Sequence, residues 1–186
     1  MRTTLSVAAV VTLALAGTAS ALDTSTFDGV RTEVEERQAE LTGTVTRAQR
    51  RLARTYTRVI AAFDKPSITR KQDTRLIRRI VGLLDRPLRD DTEMQGLLKT
   101  ALEAYAAELT DQYGRLDEGF EMLSGESRHR TRAQTAYDGS VAARDGVAGE
   151  DMVSRKFRGC LKAESLAGRA RGSLGRALRS ENGVSS

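Results

Sequence analysis

The chain has 186 residues, a formal net charge of +5, one cysteine, one histidine, no tryptophan, and only four Phe and four Tyr. That length suits one domain, and a lone cysteine excludes an internal disulfide. So few aromatics point away from a thick globular core and toward slender helical seams.

Residues 1–21 read as a signal peptide. Arg2 supplies a positive head, and Leu5 to Ala16 are apolar or small. That run is about 18 Å long as a helix, against roughly 30 Å for a bilayer core. Ala19-Ser20-Ala21 is the small-residue pattern that a signal peptidase accepts, so cleavage is expected after Ala21. Thr18 stands where a lipid anchor would need cysteine. No later run is long and apolar enough to span a membrane. The expected location is extracytoplasmic, either periplasmic or secreted.

A single helical domain is expected over 22–180. Its first helix is predicted over about 28–63, where Val34, Leu41 and Ala48 recur every seven residues and Val45, Leu52 and Val59 do the same, offset by four. Pro66 interrupts it. A second helix is predicted over about 68–85 and is closed by Pro87. Asp90, Asp91 and Thr92 offer caps for a third, and Asp90 with Glu93 has capping-box spacing. Apolar residues from Met94 to Leu123 keep helical spacing, so the third helix is predicted over about 91–123. Weaker patterning follows, broken by the glycine-rich run at 145–151. Two more helices are predicted over about 127–144 and 150–179, with a disordered tail at 181–186. The expected fold is all-α: an elongated antiparallel helical bundle with coiled-coil-like seams.

Charge comes in blocks. Residues 22–46 carry net −4, 47–89 net +10, 90–126 net −8, and 152–180 net +7. Two arrangements follow. The acidic third helix could lie between the basic segments and set register. Alternatively, the basic segments stay exposed for an anionic surface. Arg47, Arg50, Arg51, Arg54 and Arg58 are spaced three and four apart, so most share one side of a helix. Arg75, Arg78 and Arg79 repeat this further on. Guanidinium suits the role because it clasps phosphate with two parallel hydrogen bonds. These eight are the candidate binding residues, for anionic envelope polymer or lipid headgroups. No aromatics interleave to stack bases, which argues against nucleic acid.

Cys160 shares a helical face with Phe157, so it reads either as a buried small side chain or as the source of an intermolecular disulfide; basic neighbours would favour its thiolate. Gly168, Gly172 and Gly175 fall on one side of the last helix and mark a candidate self-association face. Glu126-x-x-His129 has the spacing of one half of a di-iron site but lacks a second copy. No phosphate loop, dinucleotide fingerprint, nucleophile elbow or zinc spacing occurs. No catalytic residue, cofactor or metal is therefore expected. The function expected is a non-enzymatic binding or structural protein of the cell envelope, which self-associates or joins another helical protein through seams and charged faces. A holdase-type chaperone is the alternative.

Overall fold

A computed structural model describes residues 24–43, 46–65 and 70–181, so the expected signal peptide and most of the expected tail lie outside the described residues. The described chain is all-helical. A single turn of 3-10 helix at Thr24–Phe27 leads into seven α-helices: α1 Asp28–Glu40, α2 Arg47–Phe63, α3 Arg70–Leu84, α4 Thr92–Ala107, α5 Leu109–Glu121, α6 Arg128–Ala148 and α7 Val153–Glu181. They pack as a bundle around two adjoining cores.

The helix expected over 28–63 is two helices, α1 and α2. Gly43 adopts φ +96°, a backbone region that side-chain-bearing residues rarely enter. Three residues later Thr46 caps α2: its hydroxyl accepts from the Gln49 N–H at 3.2 Å, and its own N–H reaches Gln49 Oε1 at 3.3 Å. This capping box satisfies two orphan donors, so a new helix starts here rather than an old one continuing. The heptad seam is accordingly interrupted. Val34 and Val59 are buried, but Ala48 is exposed.

The expected 91–123 helix is likewise interrupted, at Glu108. Its cap is Asp91 rather than Asp90, with the carboxylate accepting from the Met94 N–H at 3.0 Å. Residues 70–84, 128–148 and 153–181 are close to the helices expected there. The last helix runs past 179 because Glu181 is anchored. Its carboxylate accepts from the backbone N–H of Ser124 at 3.1 Å and of Gly125 at 2.9 Å. Those bonds hold its pKa below the usual carboxylate range.

The frame is an up-down-up set. α6 and α7 form an antiparallel hairpin, with Ser140 against Ala163 and Val147 beside Gly159. The line of α4 and α5 runs parallel to α7, with Leu102 at Cys160, Tyr105 at Glu164 and Gly119 at Leu174. One core sits around α5, α6 and α7, where Ala163, Ala167, Ala170 and Ala177 of α7 are 0% exposed. Their small side chains let the hairpin close tightly. Tyr113 and Ser140 are 2.7 Å apart, and Ser140 donates to the Ala163 carbonyl at 2.6 Å, so the tyrosine donates to the serine. The other core joins α4 and the first half of α7 to the α1–α2 hairpin and α3. Val30, Tyr56, Ile80, Leu98 and Cys160 are among its buried members.

Candidate functional site: two arginine faces and an acidic groove

Helix α2 reads RAQRRLARTYTRVIAAF, with five arginines and no acid. Its inward residues are Tyr56, Val59 and Ala62, each no more than 1% exposed. At about 100° per residue, Arg47, Arg51, Arg54 and Arg58 fall within about 60° of arc, centred about 180° round from Tyr56. Arg50 widens that arc. All five side chains are exposed. In α3, Leu76, Ile77, Ile80 and Leu84 point inward, and Arg75, Arg78 and Arg79 are exposed. The one acid of α3, Asp73, is 1% exposed, and its Oδ2 has no hydrogen-bond partner. It is buried and therefore absent from the outer face. α2 and α3 pack on each other.

Among the described residues, Arg47, Arg51, Arg54, Arg58, Arg75, Arg78 and Arg79 have no carboxylate within 4.0 Å. The acidic block is instead engaged from α1, α6 and α7, with Arg130 of α6 3.8 Å from Glu126. Arg37 of α1 bonds Glu33 and Asp91, and Glu93 at 2.9 Å. Lys156 of α7 bonds Glu103 at 2.5 Å. Internal charge pairing is thus real, but it does not use the seven arginines.

Their arrangement has a local cost. Arg47–Arg51, Arg50–Arg54, Arg54–Arg58 and Arg75–Arg79 are like-charge i,i+4 pairs, each unfavourable by about 0.2–0.5 kcal/mol. Arg47 also sits in the first turn of α2, at the positive end of the helix dipole.

No protein-family model, curated protein or solved structure matches this chain. The reading of the site therefore rests on geometry.

The second feature is a groove of about 370 Å³ between α1, α2 and the start of α4. Leu41, Leu52 and Tyr56 line it, with Glu33, Glu36, Glu40 and Glu93 around them. Arg37 also lines the groove and is held there by Glu33, Asp91 and Glu93. Partial burial opposes its charge, but hydrogen bonds to Asp91, Glu33 and Tyr56 hold its pKa above the ordinary arginine value, and Arg37 in turn lowers that of Asp91. The groove was not foreseen from sequence. Its signal is present, however: Glu33, Glu36 and Glu40 are spaced three and four apart, on one side of α1.

Cys160 is 0% exposed, and its thiol donates to the Leu102 carbonyl at 3.4 Å. Burial pushes the thiol pKa up to about 12, so it is protonated at neutral pH. Its basic neighbours do not change this: Arg155 and Arg158 are exposed, and Lys156 is engaged elsewhere. A disulfide to another chain would require the α4–α7 seam to open. Gly168 and Gly172 are exposed on α7, and nothing but the Arg176 tip would meet a methyl group at either. They lie outside the tight seam, which alanines line instead. His129 is half-buried, with Nδ1 buried and unpartnered. Among the described residues, no group of three His, Cys, Asp or Glu is placed to hold a metal ion. Among them, too, no helix is long and apolar enough to cross a membrane.

Proposed function

We propose that this protein is an exported, non-catalytic binding protein that holds an anionic envelope polymer or lipid headgroups against the outer faces of α2 and α3. One observation carries the reading. Eight arginines at 47, 50, 51, 54, 58, 75, 78 and 79 are exposed on two adjoining helices whose outer faces carry no exposed acid. Like-charge spacing makes α2 less stable than a mixed-charge helix would be, and seven of the arginines have no intramolecular carboxylate to offset this. A bound polyanion would supply the missing counter-charge and gain two parallel hydrogen bonds per guanidinium.

The holdase reading finds less support. Among the described residues the exposed large apolar side chains are Met122 and Met152, one at each of two separate turns. They do not form a broad client surface.

The test is binding to anionic liposomes, and to a soluble polyphosphate, over a salt series. Affinity should fall steeply as salt rises, and Arg51→Gln/Arg54→Gln/Arg58→Gln should weaken it with the fold intact. Absence of binding at low salt would overturn the reading. Export is tested separately, by sequencing the N-terminus of the mature protein. Leu22 is expected at that position.

A further inference from the structure

The groove between α1, α2 and α4 has an excess of negative charge that the molecule itself does not neutralise. Arg37 is committed to Glu33, Asp91 and Glu93. Among the described residues, Glu36 and Glu40 have no cationic partner within 4.0 Å. They stand on the last turns of α1, where the negative end of the helix adds to their field. Inside the rim, Leu41 and Leu52 are only partly covered. Carboxylates around an apolar floor suit a side chain with an apolar stem and a cationic head, which describes arginine.

Arg37 aside, no arginine among the described residues lines it. Tyr56 lines the groove, and Arg47, Arg51, Arg54 and Arg58 lie about 180° round α2 from Tyr56. Arg47 is close in sequence to Glu40, yet the capped turn between α1 and α2 leaves them unpaired. Groove and stripe face away from each other on one molecule.

We infer that the groove takes the α2 arginine stripe of a second copy of this chain. The two surfaces match in sign and in pitch. Glu36 and Glu40, the carboxylates of α1 that Arg37 leaves free, are four residues apart, and Arg47, Arg51, Arg54 and Arg58 step along α2 by four, three and four. Both spacings are about one helical turn, so two helices laid side by side can oppose both carboxylates to arginines at once. Because the two surfaces point in different directions, the contact is heterologous. It joins copies head to tail, into a ring or an open chain, rather than as a closed twofold pair. The stripe is the one proposed above to hold polyanion, so polyanion competes with self-assembly.

Sedimentation velocity on the purified chain tests this without any polymer present. At about 50 mM salt the wild type should form species larger than a monomer, and association should weaken at least about tenfold by 0.5 M salt. Glu36→Lys/Glu40→Lys should sediment as a monomer, because the two carboxylates left free of Arg37 become cations that repel the arginine stripe. Arg51→Glu/Arg54→Glu should do the same, because it cancels the net charge of the four-arginine stripe and sets two carboxylates against the acidic groove. Mixed in equal amounts, the two variants offer each other complementary surfaces and should associate again. Circular dichroism checks that each variant is folded. A wild type that is monomeric at low salt, variants that still self-associate alone, or a mixture that stays dissociated would each overturn the inference. Glu36→Lys/Glu40→Lys keeps every arginine and should still bind anionic liposomes, so failure of this inference is distinguishable from failure of the proposed function.

Discussion

Lys156, only 2% exposed, places its ammonium 2.5 Å from the Glu103 carboxylate. The same ammonium donates to the Val147 carbonyl at 2.6 Å and the Ala148 carbonyl at 3.1 Å. Those are C-terminal carbonyls of α6, past the end of its i to i+4 ladder, and the Val147 carbonyl also accepts from the Glu150 N–H at 3.3 Å. A cation there also meets the negative end of the helix dipole. Lys156 thus ties α4, α6 and α7 together with all three of its protons used. Lys156→Met keeps the stem and removes the donors. It should cost about 2 kcal/mol, because the Ala148 carbonyl and the Glu103 carboxylate lose this donor and the Val147 carbonyl is left with the Glu150 N–H. Urea unfolding monitored by circular dichroism reads this directly. A midpoint equal to the wild type would show that water reaches those carbonyls.

Two glycines of α7 should respond in opposite directions to the same substitution. At Gly159 an added methyl would lie 2.9 Å from Val147 Cγ2, and Val147 is both buried and stiff at χ1. At Gly168 it would meet nothing within 4 Å. Gly168→Ala should therefore stabilise by about 0.5–1 kcal/mol through helix propensity alone. Gly159→Ala gains the same propensity but forces the α6–α7 seam apart, and overpacking typically costs about 1–3 kcal/mol. Thermal unfolding of the two variants should move the midpoint up for Gly168→Ala and down for Gly159→Ala.

The helical class and the position of α3, α6 and α7 were readable because Pro66, Pro87 and the run at 145–151 punctuate the chain locally. The two long helices were misjudged for a shared reason: apolar spacing continued through a point where the backbone changed. At Thr46 the deciding signal was also local, a Thr-x-x-Gln capping box beside Gly43, but it competed with an apparent heptad. At Glu108 the spacing stays helical on both sides while the buried set passes from one core to the other, a tertiary fact with no local mark. The arginine faces were legible because outward spacing is intrinsic to a helix. That seven of these arginines have no carboxylate partner was not, since it depends on other helices, rather than α2 and α3, engaging the acidic block. Lys156 shows the limit most clearly. It counts as one more charge in a basic tract, and only the meeting of three helices takes it inside.

Asp91 has two jobs that substitution can separate. Its carboxylate caps α4 and also bonds Arg37. The Arg37 bond is the larger cause of its lowered pKa. A carboxylate whose pKa is lower folded than unfolded adds stability above its unfolded value, 3.8, and loses it as pH falls through the folded value. Asp91→Asn keeps a good cap and removes the titration. Asp91→Ala removes the cap too and should cost about 1 kcal/mol more than Asn. Above about pH 5 both variants should be less stable than the wild type. Below pH 3.8 the gap between wild type and Asn should narrow while that between Asn and Ala persists. Unfolding midpoints over a pH series check this, and a gap between wild type and Asn that ignores pH would sink it.

The arginines of α2 should behave unlike residues kept for stability. Arg51→Glu turns a repulsive i,i+4 pair with Arg47 into an attractive one and adds an i,i+3 contact to Arg54. Each such change is worth a few tenths of a kcal/mol, so the variant should be more stable by about 0.5–1 kcal/mol. The site is exposed and no core contact is lost. Polyphosphate should raise the melting temperature of the wild type, because a ligand that prefers the folded state stabilises it by mass action. It should raise that of Arg51→Glu far less. The wild-type effect should vanish at high salt, where screening removes the attraction. A paired outcome, higher intrinsic stability with a weaker response to polyanion, would mean that the stripe is maintained against a local cost for the sake of an external partner. If Arg51→Glu instead destabilised the fold, the stripe would have a structural role that its exposure and lack of carboxylate partners do not reveal.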